Sequence, residues 1–182
     1  MTHIVFGALP NIITTGRLVL VPLVIALIVQ HRWMEALAVF LIAGVSDAVD
    51  GWLAKTFNLR TELGAYLDPV ADKALLISIY VTLAIIGHLP TVIAILVVSR
   101  DVMIMGAVVI SWLVDKPVAI RPLIVSKANT AAQIGLAAMV LAGKAFGWSF
   151  DGWFTAALYV VATLTIASTA AYLWQWVRHM SN

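Results

Sequence analysis

Long apolar runs dominate the chain and are separated by short polar breaks. The runs lie at about residues 12–30, 34–54, 68–88, 90–113, 128–146 and 154–177. Each is close to the roughly 20 residues that an α-helix needs to cross the hydrocarbon core of a bilayer. The breaks carry charges, Gly and Pro, which are typical of loops. The pattern therefore predicts an all-α integral membrane protein with six transmembrane helices, in a single domain that spans residues 1–182.

Composition supports this class and excludes others. The chain is 63% hydrophobic and 11% charged, whereas soluble domains are about 45–50% apolar and about 25% charged. A net charge of +2 is too small to indicate nucleic-acid binding. There is no Cys, which excludes disulfides and cysteine-ligated zinc. The first apolar run lacks a charged leader and an A-x-A cleavage site, so we interpret it as a retained span.

The distribution of Lys and Arg predicts the orientation. With six spans, only Arg32 and Lys144 lie on the side opposite to the termini. The positive-inside rule then places both termini and the polar segment at 46–73 in the cytoplasm, and we expect a bacterial cytoplasmic membrane. Tryptophans fall near both predicted boundaries, as an aromatic belt requires. The histidines are scattered near predicted helix ends, and we interpret them as interfacial residues: His3, His31, His88 and His179.

Residues 46–73 carry the candidate chemistry. Asp47 and Asp50 are spaced i, i+3, and Asp68 and Asp72 are spaced i, i+4. On helices, each spacing places two carboxylates on one face. An ionised carboxylate within a membrane helix costs roughly 2.5–3.5 kcal/mol on insertion scales, and a bound cation would offset this cost. Carboxylate oxygens favour Mg²⁺ or Mn²⁺ over zinc, so the pattern predicts a site for these hard cations. The alternative is that Lys or Arg within the bundle neutralises the pair of Asp47 and Asp50.

The start of the third helix has two interpretations from sequence. Asp68 followed by Pro69 is a typical N-cap and first-turn pair. Alternatively, Thr61 caps an earlier start, which places Gly64, Asp68 and Asp72 on one face and Pro69 inside the helix. Capping alone would account for Asp68 but not for Asp72.

The motif D-x2-D-G-x2-A-K-x8-G-x3-D-x3-D, from Asp47 to Asp72, resembles the signature of the CDP-alcohol phosphatidyltransferases. The resemblance implies the helical bundle of that family as a catalytic domain, CDP-diacylglycerol as the donor and a two-metal site. The family usually has Arg at the position of Lys55, and Lys keeps the charge without the two-pronged donor geometry.

The resemblance also implies roles for individual residues. Asp47, Asp50, Asp68 and Asp72 would be metal ligands, and Asp72 would also be the general base for the acceptor hydroxyl. The small residues would leave space for the cytidine and its phosphates, and polar residues would complete the CDP site. That site would comprise Asn11, Thr14, Asp47, Gly51, Ala54, Lys55 and Gly64.

Two further segments resemble the eukaryotic-type cardiolipin synthases: Ser-Arg-Asp-Val-Met at 99–103 and Ser-Lys-x-Asn-Thr-Ala-x-Gln at 126–133. This resemblance implies transfer of the phosphatidyl group to phosphatidylglycerol with release of CMP, and a homodimer. Phosphatidylglycerophosphate synthases, with glycerol 3-phosphate as acceptor, share many of these features. Basic residues that are candidates for holding the acceptor's phosphate are Arg17, Arg100, Arg121 and Lys127.

Arg100 and Asp101 are the deepest charges in the sequence. Adjacent residues on a helix point about 100° apart, so they need not pair with each other. Either they form an inter-helix ion pair or they have a functional role. A cation or proton transporter is a remote alternative, because the carboxylates cluster near one membrane face and no internal repeat is visible.

Overall fold

The computed structural model describes residue 16 and residues 18–56, 62–114, 123–149 and 151–180. It describes the side chains of these ranges outside positions 47, 48, 50–56, 62–72, 108 and 112. Helices dominate the described ranges, which contain no strand. The helices are α1 (Leu18–Val29), α2 (Trp33–Thr56), α3 (Glu62–Ile85), α4 (Thr91–Leu113), α5 (Ile124–Phe146) and α6 (Asp151–Met180).

The all-α prediction is confirmed for the described residues, and each predicted apolar run corresponds to one helix. Three segments are long and apolar enough to cross a membrane: Thr91–Ser111, Ile124–Phe146 and Asp151–Met180. The apolar parts of the other three described helices are shorter, at Leu18–Val29, Trp33–Ser46 and Lys73–Ile85. In α2 and α3 these parts cover only the residues whose side chains are described. By length and composition, the described residues therefore give three spans where six were predicted.

Helix α3 decides between the two interpretations of its start. It begins at Glu62, so Asp68 is not its N-cap, and Pro69 lies inside the helix. Asp68 and Asp72 therefore share one helix, about one turn apart. The helix ends at Ile85, three residues before the predicted end, because Gly87 takes a left-handed conformation with φ 77°. The N–H of His88 then closes the turn on the carbonyl of Leu83 at 2.8 Å.

Three left-handed residues lie at the ends of alternate helices. His31 (φ 57°) follows α1, Gly87 follows α3, and Gly147 (φ 67°) caps α5. Left-handed residues commonly end helices because they let following N–H groups reach the last free carbonyls. After α5, the N–H of Trp148 bonds to the carbonyl of Gly143 at 2.9 Å. We call this end of the bundle the far end, since α3 runs from the acidic segment towards it.

One apolar core joins the six helices. Helix α5 packs against α2, α3 and α6, and α4 packs against α3 and α6. Fully buried contributors include Ile28 from α1, Ile79 from α3 and Leu141 from α5. Large apolar side chains also face outward, as at Val92 and Val102 of α4, which are 66% and 61% exposed. Such an outward apolar face suits contact with lipid rather than water.

Candidate functional site

Both predicted carboxylate pairs lie within helices. Asp47 and Asp50 are in α2, and Asp68 and Asp72 are in α3. The i, i+3 and i, i+4 spacings are therefore helical spacings, on which the prediction of shared faces depends. The CDP-site residues of the same helices are Gly51, Ala54, Lys55 and Gly64. The side chains of all these residues lie outside the described set, so their roles stay predictions.

Other predicted site residues lie outside the described part of the chain altogether, namely Asn11, Thr14, Arg17 and Arg121. Among the side chains that are described, no group of three or more His, Cys, Asp or Glu is placed to hold a metal ion. The four aspartates at 47–72 are not among those side chains. As a donor set, four carboxylates fit Mg²⁺ or Mn²⁺, which prefer oxygen ligands.

The described part of the site begins one residue after Asp72, at Lys73. The Lys73 ammonium lies 2.8 Å from Oδ1 of Asp101 in α4. The same oxygen accepts a hydrogen bond of 2.5 Å from Nη1 of Arg100. Asp101 is only 2% exposed. The neighbouring Arg100 and Asp101 therefore do pair, and Lys73 joins them across the α3–α4 contact.

Arg100 extends this group of charges to two more helices. Its guanidinium donates to Ser126 Oγ in α5 and, at 2.9 Å, to Ser168 Oγ in α6. It also lies over the ring of Tyr172 in α6, 5.7 Å from the centroid, a favourable cation–π arrangement. Arg100 is 4% exposed. Its predicted role at the acceptor phosphate stays a prediction, and in this structure its donors face protein groups.

Two more polar contacts follow along the same face of α5. One turn beyond Ser126, Asn129 accepts a 2.9 Å hydrogen bond from Thr165 of α6. One turn further, the backbone carbonyl of Gln133 accepts a 2.9 Å hydrogen bond from the Tyr80 hydroxyl. Both amide side chains are fully buried. We call this row of contacts, from Lys73 to Gln133, the polar seam.

Several polar atoms of the seam have spare bonding capacity. No described residue bonds to Asp101 Oδ2, to the side-chain nitrogen of Asn129, or to either amide atom of Gln133. Buried polar groups are normally satisfied, and an unmet one costs about 1–3 kcal/mol. The seam therefore offers two donor groups and two acceptors inside an otherwise apolar bundle.

Sequence reasoning missed part of this arrangement. It included Lys73 only as part of the polar segment at 46–73, which the positive-inside rule places in the cytoplasm, and it did not single out Ser168. A signal was present in α6, where Thr165, Ser168 and Tyr172 are spaced i, i+3 and i+7 on one face of an apolar helix. By contrast, Lys127 is exposed on the first turn of α5, and its acceptor role stays a prediction.

Comparisons of the sequence with family models and with known proteins agree on one protein family. A family model described as CDP-alcohol phosphatidyltransferase matches residues 7–174. Human cardiolipin synthase (CMP-forming) is 32% identical over 178 residues, which cover 89% of this chain and 59% of the human protein. CDP-diacylglycerol–glycerol-3-phosphate 3-phosphatidyltransferase 1, chloroplastic, of Oryza sativa is 31% identical over 185 residues, covering 92% of this chain and 56% of that protein. A probable phosphatidylglycerophosphate synthase of Mycobacterium tuberculosis is 35% identical over 99 residues, covering 51% of this chain and 47% of that protein. The chain thus spans less than two thirds of the length of these relatives.

Proposed function

Because the chain belongs to the CDP-alcohol phosphatidyltransferase family, we propose that it transfers the phosphatidyl group of CDP-diacylglycerol to phosphatidylglycerol, forming cardiolipin and releasing CMP. One observation carries this proposal. Helices α2 and α3 each contain two aspartates, spaced i, i+3 in α2 and i, i+4 in α3, as in the motif that resembles the family's signature. The bundle would cross the membrane six times, with the acidic segment on the cytoplasmic side. It would act in a bacterial cytoplasmic membrane, as a homodimer.

The carboxylates divide the chemistry between them. Asp47, Asp50 and Asp68 would hold divalent cations, and Asp72 would hold a cation and remove the proton of the acceptor hydroxyl. When bound, Mg²⁺ or Mn²⁺ supplies charge neutralisation for the diphosphate and its leaving group. The acceptor oxygen forms a bond to the phosphorus that bears the diacylglycerol. The bond from that phosphorus to the bridging oxygen breaks, and CMP leaves with the electron pair.

The seam supports the assignment of the acceptor to this end of the bundle. The two segments that resemble cardiolipin synthases, 99–103 and 126–133, contact each other through Arg100 and Ser126. Lys73, the residue next to Asp72, bonds to Asp101 of the first of these segments. An acceptor bound near Asp72 would therefore lie close to the end of the seam that Lys73 forms. The Lys73 side chain is 28% exposed there.

Glycerol 3-phosphate is the second candidate acceptor, because relatives named for that acceptor match over a comparable share of the chain. The test offers purified protein both acceptors together with CDP-diacylglycerol and Mg²⁺ or Mn²⁺, and identifies the lipid product by mass spectrometry. Cardiolipin supports the proposal. Phosphatidylglycerophosphate keeps the mechanism and overturns the acceptor, and no CMP release with either acceptor overturns the proposed transfer.

The matched variants are Asp72→Asn and Glu35→Gln. Both replace a carboxylate by its amide, but Glu35 is exposed and lies on the first turn of α2, far from the acidic segment. We expect Asp72→Asn to abolish turnover while retaining binding of CDP-diacylglycerol, and Glu35→Gln to behave as the parent. Turnover at the parental rate in Asp72→Asn would exclude this residue as the base.

A further inference from the structure

The far end of the bundle contains a cavity that the proposed transfer does not use. Its volume is about 290 Å³, and its wall includes His88, Lys144, Trp148, Asp151 and Phe154. Helix α3 separates this end from Asp72, because the 13 residues from Asp72 to Ile85 rise about 20 Å. A ligand here could not share the carboxylate pairs. We call this space the far-end cavity.

Positive and titratable groups from three parts of the bundle lie in or next to the cavity wall, namely His31 after α1, His88 after α3 and Lys144 in α5. The rings of His31 and His88 lie 6.4 Å apart, and Trp33 packs against both, at 5.5 Å and 5.1 Å. Burial and the nearby charges of Lys144 and His31 lower the pKa of His88 below its ordinary value. Among the described residues, Lys144 forms no ion pair. The sequence had indicated scattered histidines, whereas the fold brings two of them to one place.

No described carboxylate forms an ion pair with Lys144, His31 or His88. Asp151 lies in the cavity wall, but it forms no ion pair with a described residue. Glu35, the other acidic group at this end, is bonded to Arg32 at 2.9 Å. The cavity wall therefore combines a lysine that forms no ion pair with a described residue and a histidine, His88, whose protonation the charges of Lys144 and His31 oppose through repulsion. An anion would relieve this repulsion and would raise the affinity of His88 for a proton.

We propose that the far-end cavity binds the phosphate headgroup of an anionic phospholipid, with Lys144 and His88 as its cationic contacts. The volume lies just below the roughly 300 Å³ at which small-molecule pockets begin, so it suits a headgroup and not a whole lipid. The acyl chains would lie along the exposed apolar faces outside.

Aromatic side chains place this cavity at headgroup depth. Phe146 and Trp148 stack with centroids 4.7 Å apart beside it, and Trp153 is 77% exposed on the first turn of α6. Tryptophans collect at the boundary between lipid and water, where lipid phosphates lie. A lipid is therefore a better fit than a free phosphate from solution, although both carry the same anionic group.

The charges around the site determine in which direction its affinity for an anion changes with pH. A lowered pKa leaves His88 neutral near pH 7, and acidification charges it. Binding of an anion must then tighten as the pH falls, and the bound anion must raise the pKa of His88, since the coupling is reciprocal. Among the described residues, the other charged or titratable groups around the site are His31, Arg32 and Glu35 from the α1–α2 region, Lys144 from α5, and Asp151 from α6.

The test is NMR titration of His88 in the full chain with labelled histidines, in a zwitterionic detergent. The His88 signal is assigned by a His88→Gln variant. Phosphatidylglycerol, phosphatidylcholine and inorganic phosphate are added in separate samples. We expect phosphatidylglycerol alone to raise the pKa of His88. An equal effect of phosphatidylcholine, or no effect of either lipid, would overturn the proposal, and an equal effect of inorganic phosphate would overturn the lipid as the ligand.

Two variants with opposite expected effects on phosphatidylglycerol affinity make the test specific. Lys144→Gln should raise the amount of phosphatidylglycerol needed for half-saturation by about five-fold, as expected for one cation near an anionic headgroup. Asp151→Asn removes the negative charge of the wall and should lower that amount. Unchanged thermal midpoints would show that both variants fold. Equal affinity in the parent and in Lys144→Gln would contradict the assigned contact. Because His88 reports only on the far end, lipid bound near Asp72 as an acceptor does not affect this readout.

Discussion

Replacing Asp101 by Asn tests whether the polar seam is held together by charge. The carboxylate is 2% exposed and accepts from both Lys73 and Arg100. The substitution keeps the shape of the side chain but leaves Lys73 and Arg100 without a counter-charge among the described side chains. Arg100 cannot reach water, since it is 4% exposed and bonded on its other side to Ser168. Removing one partner of a buried ion pair typically costs about 3–5 kcal/mol, and we expect a loss of this size.

The assay is equilibrium unfolding of the purified protein in mixed micelles, followed by helix content as denaturing detergent is added. Glu35→Gln is the matched control, because its pair with Arg32 is exposed and such pairs often contribute nothing measurable. Lys73→Met should cost clearly less than Asp101→Asn, since it leaves Arg100 and Asp101 as a neutral pair. In the Asp101→Asn background, Lys73→Met should restore part of the loss, because it removes one of the two uncompensated cations.

Two results would refute this reasoning. One is a loss of stability in Asp101→Asn no larger than that in Glu35→Gln. The other is strict additivity of Lys73→Met and Asp101→Asn, because contacting charges should show a coupling of about 0.5–3 kcal/mol. Either result would mean that packing, and not the ion cluster, holds α3 against α4.

Further predictions concern other parts of the bundle. Thr165→Val should cost about 1–3 kcal/mol in the same unfolding assay, because it leaves a buried Asn129 oxygen without its donor; a neutral effect would exclude that bond as a contributor. Tyr80→Phe should cost less, about 0.5–1.5 kcal/mol, since the carbonyl that it leaves already lies in a helix. Removal of divalent cations with a chelator should abolish CMP release, and restoring Mg²⁺ or Mn²⁺ should recover it. Asp50→Asn should lower activity and shift the metal titration to higher concentrations, and an unchanged titration curve would remove Asp50 from the metal site.

The sequence predicted the helices well because a long apolar run is the main sequence signal of a membrane helix. The predicted runs for the second and fourth helices end within two residues of α2 and α4. The start of α3 was left open because Asp68-Pro69 is a genuine capping signal in isolation. In the structure, the helix continues through Pro69 from Glu62.

Contacts between helices were harder to predict from the sequence than the helices themselves. The sequence places Arg100 beside Asp101, but only packing shows that Lys73 and Ser168, on two other helices, complete their surroundings. His31 and His88 lie 57 residues apart and meet because α1 and α3 end at the same side of the bundle. Such meetings depend on helix rotation and register, which an almost uniformly apolar pattern determines only weakly.

The pairing of Arg100 with its own neighbour has a consequence for the synthesis of the chain. A helix that enters the membrane with a lone Arg or Asp incurs the full cost of an isolated charge. Helix α4 carries a positive and a negative side chain on adjacent residues, which bond to each other. The two charges can therefore neutralise each other already while the helix inserts into the membrane. Lys73 differs, since its partner Asp101 is made 28 residues later. Until α4 arrives, we expect the Lys73 ammonium to extend to the membrane surface, from which the docking of α4 would draw it into the seam.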